Sequence, residues 1–165
     1  MEGIIFREEQ KMATVWWLTL IIAAITGLMW YGFIQQIILG RPFGTNPGPD
    51  WSMWLLWVVF GIGFPIVWAM IRLIVEVRDD YLLIRYYPFT TRKVSFVDIK
   101  RAEARTYSPL REYGGWGVRG WGKKMAYNVS GNQGVELELQ DGQTIMIGSQ
   151  RSEELALVLD TKMKS

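Results

Sequence analysis

The sequence predicts a membrane α-helical hairpin joined to a small, mainly β domain of about seven strands in two packed sheets, with a helix at the C-terminus. Two observations predict the hairpin: uncharged apolar runs lie at residues 12–40 and 51–71, and the connector between them is rich in glycine and proline. The third observation is that short apolar-polar alternations, separated by turn sequences, follow residue 72.

The two apolar runs are long enough to cross a bilayer. They contain 29 and 21 residues without a charged side chain, whereas a span needs about 20. The connector GRPFGTNPGPD favours turns, so the spans should return as an antiparallel pair. Basic residues are more numerous in the segments that flank the two runs than in the connector. The positive-inside rule therefore predicts an integral membrane protein with two spans and a cytoplasmic soluble domain.

These features divide the chain into an N-terminal tail at 1–11, a two-helix hairpin at 12–72 and a soluble domain at 73–165. The chain contains no cysteine and no histidine, which removes the thiol nucleophile, the usual general base near neutral pH and the commonest transition-metal ligands. Neither span contains an Asp, Glu, Lys or Arg that could carry protons or ions. The sequence therefore predicts no enzyme activity, no cofactor and no metal site.

The soluble domain begins with strand signals. LIVEVRDDYLLIRYY predicts a β-hairpin around Asp79-Asp80, and TRKVSF and RAEARTY predict two further strands. After a glycine-rich loop, the segments MAYNVS, VELEL and TIMIG predict a three-stranded meander, because strong turn sequences separate them. Ser149 or Ser152 is expected to cap a final helix, whose apolar residues recur at helical spacing. These residues are Leu155, Val158, Leu159 and Met163.

About seven strands followed by one helix is the element order of a pleckstrin-homology-like fold, in which two sheets form a partly open barrel and the helix covers one end. The sequence also resembles the bacterial pleckstrin-homology-like membrane proteins, which carry two transmembrane helices ahead of the domain. The resemblance rests on VRDDYLLIRYYPF, on KVSFVDIKRAEAR with its Asp98-Ile99 step, and on IGSQRSEEL. It implies a PH-like domain, but no functional residue, because that family is mostly of unknown function.

A basic and aromatic segment is the candidate binding site. Residues 92–124 contain nine Lys/Arg and three Asp/Glu, whereas residues 125–165 contain three and six. Aromatic rings with basic side chains suit a membrane interface with anionic lipid or a hot spot for a protein partner. The alternative is structural, with Trp116 or Trp121 closing one end of the barrel. The candidate binding residues are Arg111, Tyr113, Trp116, Arg119, Trp121, Lys123 and Lys124.

Two other patterns resemble catalytic or nucleotide-binding motifs. Gly115, Gly117 and Gly120 match G-x-G-x-x-G, but a strand and not a helix is predicted to follow, so the pattern favours a flexible loop. Glu136 and Glu138 alternate with apolar residues, which is typical of the solvated face of a strand.

The sequence thus predicts a membrane-anchored, non-enzymatic binding or scaffold module whose PH-like domain binds a protein partner or a lipid headgroup. Its expected partners are the lipid bilayer, a protein or a second copy of the chain, and anionic lipid. Tethering and a net charge of only +2 argue against nucleic acid. The alternative is an accessory subunit or assembly factor of a larger membrane complex, recognised through its hairpin.

Overall fold

The structure is a computed structural model that describes residues 3–164, except for the side chain of Trp121. The chain folds as two compact units. Residues 13–70 form a helical unit, and the flanking segments, 3–12 and 71–164, together form a β unit. The β unit is therefore discontinuous in sequence, because the helical unit is inserted after its first strand.

The helical unit contains two apolar helices, of 23 and 21 residues, that are long and apolar enough to cross a membrane. This finding agrees with the two spans predicted from the sequence. Both helices include a π-helical segment. The first consists of α1 (Trp16–Phe33) and the π segment Ile34–Ile38; the second consists of α2 (Asp50–Leu56), the π segment Trp57–Gly63 and α3 (Phe64–Met70).

Side-chain contacts join the two helices. Trp30 Nε1 donates a hydrogen bond to the main-chain oxygen of Gly61 over 3.1 Å. The Phe33 ring stacks on the Trp57 ring, with centroids 4.2 Å apart. In an apolar environment, polar side chains that bond across a helix pair stabilise its association. The two runs therefore form a hairpin, as their connector predicts.

The first sheet of the β unit is antiparallel, in the order β1-β2-β3-β4. Its strands are β1 (Ile4–Lys11), β2 (Arg72–Arg78), β3 (Tyr81–Tyr87) and β4 (Thr90–Ser95). The predicted turn at Asp79-Asp80 joins β2 to β3. The structure differs from the predicted N-terminal tail at 1–11, because residues 4–11 form an edge strand paired with β2.

The pattern of β1 explains why the sequence did not indicate a strand. Its inward positions are occupied by Phe6, Glu8 and Gln10, so two of the three buried side chains are polar. The Glu8 carboxylate accepts hydrogen bonds from Ser149 Oγ, at 2.5 Å, and from the Gln150 N–H, at 2.8 Å. Apolar alternation is therefore absent, and polar contacts with distant residues hold the strand in place.

The second sheet has five strands in the order β5-β8-β9-β7-β6. They are β5 (Ile99–Thr106), β6 (Gly117–Trp121), β7 (Lys124–Asn128), β8 (Gln133–Leu139) and β9 (Thr144–Gly148). The predicted meander is corrected by this topology: β9 lies between β8 and β7, and β7 pairs with β9 in parallel. A turn sequence shows that the chain reverses, but it does not specify which strand it pairs with next.

The core of the β unit is apolar and receives one face of α5 (Ser152–Met163). Leu155 and Leu159 of this helix are fully buried, while Val158 and Met163 are half-buried. Within the described part of the chain, no side chain caps the helix, although Ser149 Oγ accepts a hydrogen bond from the Arg151 N–H just before it, at 3.0 Å. The strands contribute Leu73, Leu82, Ile84, Leu137, Ile145 and Ile147, each of which is completely buried.

Candidate binding surface

The basic and aromatic segment is ordered by secondary structure. It begins with a short helix, α4 (Pro109–Tyr113), and continues into the β6-β7 hairpin. Gly114 ends the helix at φ 74°, a left-handed conformation that glycine adopts without a steric penalty. The flexible loop predicted for this segment is therefore replaced by a helical turn and two strands.

The predicted binding residues divide into exposed and buried groups. Arg111, Arg119, Lys123 and Lys124 are exposed, whereas Tyr113 is buried and Trp116 is half-buried. The Trp121 side chain lies outside the described residues. The four cations are thus available to a ligand.

Tyr113 has a structural role. Its ring lies edge-on to that of Tyr107, with centroids 5.9 Å apart, and both rings belong to a buried cluster with Ala126 and Met146. Burial raises the pKa of the Tyr113 phenol to about 12, so it stays neutral at physiological pH. Lys124 Nζ lies 4.9 Å from the centre of the ring, a favourable cation–π distance. Tyr113 therefore helps to position a cation and does not reach out to a ligand.

Trp116 and Arg119 are joined to each other and to the neighbouring loop. Trp116 Nε1 donates a hydrogen bond to the Gly131 main-chain oxygen at 3.2 Å. The Trp116 carbonyl oxygen in turn accepts a bond from Arg119 Nε at 2.9 Å. Because only Nε of the guanidinium is used in this bond, Arg119 is held in one direction while it remains exposed.

A buried asparagine fixes the start of β6. Asn128 is completely buried; its side-chain oxygen accepts a bond from the Gly117 N–H at 2.8 Å, and its Nδ2 donates to Tyr107 Oη at 2.9 Å. Burial of an amide is costly unless it is hydrogen-bonded, and here both ends are satisfied. Sequence reasoning missed Asn128, because an isolated asparagine in a strand gives no sign of a distant partner.

An ion-paired cluster holds α4 against the second sheet. Arg105 lies between two carboxylates, with Nη2 2.8 Å from Glu112 and 2.5 Å from Glu136. The hydrogen bond from Arg105 lowers the pKa of Glu112, and the Ser108 N–H also donates to this carboxylate. Glu136 was predicted to lie on a solvated strand face; the structure shows it half-buried and paired.

A shallow cleft of about 490 Å³ lies in this region. Among the described residues that line the cleft, the carboxylate of Glu112 is paired with Arg105, so Arg119 and Lys124 supply its net positive charge. An anionic group would therefore be attracted to the cleft. Its lining residues are Glu112, Tyr113, Gly114, Val118, Arg119, Gly120 and Lys124.

The glycines of the segment serve the hairpin. Gly120 has φ 113°, and a Cβ placed on it would lie 2.1 Å from the Lys124 main-chain oxygen. Gly115 and Gly117 also have positive φ, and the strand β6 follows where a nucleotide fold would begin a helix. Over residues 3–164, no group of three or more His, Cys, Asp or Glu side chains is placed to hold a metal ion.

The fold and these side chains define a chain with two candidate membrane-spanning helices and a two-sheet β unit that carries an exposed basic surface. The chain belongs to a family of unknown function, DUF6141, whose sequence profile matches residues 1–164. Comparison with curated proteins finds no match, and comparison with solved structures finds none. Membership of the family assigns no activity, so the function is inferred from the molecule itself.

Proposed function

We propose that the protein is a membrane-anchored, non-enzymatic binding module. In this proposal the helical unit crosses the bilayer and the β unit presents a basic surface to an anionic ligand, carried by a protein partner or a lipid headgroup. The observation that carries the proposal is the exposure of Arg111, Arg119, Lys123 and Lys124 on one ordered segment. The absence of cysteine and histidine from the chain supports binding in preference to catalysis.

The exposure of the two helices supports membrane insertion. Only 17% of the most apolar window of the first helix and 11% of that of the second are buried within the structure. A core helix of a soluble protein would bury most of its apolar side chains, whereas a lipid-facing helix leaves them exposed. Arg7, Lys11 and Arg72 lie in the segments that flank the spans, and their charge favours a cytoplasmic β unit.

The topology of the β unit supports a pleckstrin-homology-like fold with an insertion. The segment between β5 and β8 contains α4, β6 and β7. Without this segment, the second sheet is antiparallel, in the order β5-β8-β9. Together with the first sheet, this leaves seven strands followed by α5. The candidate binding surface would then belong to this segment, which is an insertion into the pleckstrin-homology-like fold.

Charge-matched double variants test the proposed surface. Replacement of Arg119 and Lys123 by alanine removes two exposed cations. The control, Lys100→Ala with Arg101→Ala, removes two exposed cations from β5, where each pairs with a glutamate. We expect the first pair to weaken, by about tenfold or more, either the binding of phosphatidylglycerol vesicles to the nanodisc-held chain or the recovery of a co-purified protein, because each cation contributes about 1 kcal/mol near an anionic surface.

The two assays distinguish a lipid ligand from a protein ligand. Loss of vesicle binding with retained protein recovery identifies a lipid ligand, and the reverse identifies a protein. If Arg119→Ala with Lys123→Ala and the β5 control behave alike in both assays, the proposed surface is wrong.

A second candidate function is that of an accessory subunit or assembly factor, recognised through its spans. It is favoured by large aromatic side chains that the helical unit leaves exposed, including Trp16 and Trp51, at 71% and 68% exposure. Such side chains are also typical of lipid-interface anchors. Replacement of the hairpin by an unrelated two-helix anchor separates the two functions, because a binding module keeps its partner after the exchange and a hairpin-recognised subunit loses it.

A further inference from the structure

The strand register identifies the end of the first sheet at which the chain leaves for the first candidate span and returns from the second. The first span begins shortly after Lys11, and the second leads directly into β2 at Arg72, which lies opposite Lys11. On the next strand Tyr87 lies opposite Arg72, so the β3-β4 turn at residues 88 and 89 leaves the sheet at the same end. We refer to residues 9–11, 72–74 and 85–91 as the span-proximal end.

A large apolar side chain is exposed at the span-proximal end. Phe89, in the β3-β4 turn, is 63% exposed. Its N–H donates to the Tyr86 carbonyl oxygen at 2.8 Å, and its ring lies 6.4 Å from that of Tyr86, so the turn holds it in place. An exposed phenylalanine ring in such a position can insert among the headgroups, because Trp, Phe and Leu side chains bury their apolar surface at the boundary between headgroups and acyl chains.

Charge along the sheet is polarised in the same direction. The span-proximal end contains three basic residues, Lys11, Arg72 and Arg85, and one acidic residue, Glu9. The span-distal end, defined as residues 3–5, 77–83 and 94–98, contains one basic residue and three acidic ones. An anionic membrane surface attracts the first arrangement and repels the second.

The candidate binding surface adjoins the same turn through Tyr86. A Cβ placed on Gly117 would lie 3.8 Å from Tyr86 Oη, so β6 begins beside this ring. Burial raises the pKa of Tyr86 to about 12, and the nearby Arg119 charge opposes the rise. Phe89 and Arg119 therefore flank one buried tyrosine, and the basic surface continues to the exposed turn.

We propose that the span-proximal end is a third membrane contact: the Phe89 ring inserts among the headgroups of the bilayer that holds the spans, while Arg85 and Arg119 face anionic lipid. This inference rests on the proposed insertion of the spans, and it names the surface of the same membrane as a ligand of the β unit. The ring and the cations together fix the β unit against the lipid surface.

Single cysteines carrying an environment-sensitive fluorophore test this contact, because the chain has no native cysteine. Phe89→Cys places the label at the span-proximal turn, and Val97→Cys, at an 80% exposed position of the span-distal end, is the matched control. Leu28→Cys, within the first span, reports insertion itself. The full-length variants are reconstituted into vesicles of equal parts phosphatidylcholine and phosphatidylglycerol, with doxyl-labelled lipid as quencher.

We expect lipid quenching at position 89 to exceed that at position 97 by about twofold or more, as for a side chain at interfacial depth. Quenching at 89 should also decrease in vesicles of phosphatidylcholine alone. Equal quenching at 89 and 97, with strong quenching at 28, would overturn the third contact and leave the anchoring intact. Absence of quenching at 28 would overturn the anchoring as well. Quenching at 89 that does not depend on phosphatidylglycerol would overturn the role of anionic lipid.

Discussion

Replacement of Glu8 by alanine should lower the stability of the β unit strongly, although residue 8 lies near the N-terminus. One carboxylate oxygen accepts bonds from Gln10 Nε2 and from the Gln150 N–H, both at 2.8 Å. The other oxygen accepts a bond from Ser149 Oγ at 2.5 Å. The side chain is therefore the acceptor that joins β1 to the segment preceding α5.

The expected loss of stability follows from the polar groups that lose a hydrogen-bond partner. Alanine at position 8 removes an acceptor of the buried Gln10 amide and of the part-buried Gln150 N–H. An unsatisfied buried donor costs about 1–3 kcal/mol. Loss of the Ser149 bond adds to this, so we expect the free energy of unfolding to fall by about 3–5 kcal/mol. Glu9→Ala is the matched control, because Glu9 points outward and its 3.5 Å pair with Arg72 is exposed. Such pairs contribute about 0–1 kcal/mol.

A buried cysteine provides the assay. Val135, in β8, is completely buried, and Val135→Cys would be the only thiol in the chain. Its rate of modification in detergent micelles reports how often the β unit opens. A loss of about 3 kcal/mol should accelerate modification roughly a hundredfold in the Glu8→Ala background.

Equal effects of the two substitutions would contradict this prediction. If Glu8→Ala and Glu9→Ala change the rate of modification by the same factor, within about twofold, then β1 does not hold the fold together. The N-terminal segment would then behave as the tail that the sequence predicted.

Three further predictions concern the hairpins and the ion pairs. Gly120→Ala should cost at least about 2 kcal/mol in the cysteine assay, because its Cβ would clash with the main chain, whereas Gly122→Ala, with open space around its Cβ, should cost about 1 kcal/mol. The pKa of Glu112 is lowered by the hydrogen bond from Arg105, so its stabilisation is present above the usual glutamate pKa and is lost as the pH falls through the lowered value. The stability advantage of the native chain over Glu112→Gln, measured by thermal unfolding against pH, should therefore shrink on acidification. Trp30→Phe removes a donor to a main-chain oxygen of the second helix, and should weaken the hairpin by about 0.6–1.7 kcal/mol in detergent-denaturation measurements.

The elements that the sequence predicted correctly depend on neighbouring residues. The two apolar helices follow from uncharged runs, the β2-β3 hairpin from the alternation around Asp79-Asp80, and α5 from apolar residues at helical spacing. The basic cluster of the candidate surface could be recognised for the same reason, since a group of Arg and Lys in a short segment is visible without a fold; its role in binding stays a prediction. Arg119 and Lys124 are exposed as expected.

The features that could not be predicted from the sequence depend on residues that are far apart in the chain. β1 is a strand because Arg72 and its neighbours return beside it after the inserted hairpin, and because Ser149 and Gln150 satisfy the Glu8 carboxylate. The parallel pairing of β7 with β9 likewise requires the chain to pass over and return between two existing strands.

The sequence alone determined that the chain combines two apolar helices with a mainly β unit, because helix length, apolarity and strand alternation are local properties. Only the tertiary structure decided that Tyr113 is buried while Arg119 remains exposed, and that Asn128 holds the start of β6. Burial and hydrogen bonding of these side chains depend on partners supplied by other strands. Residue type therefore indicated where a charged surface could form, and packing determined which of its side chains are exposed.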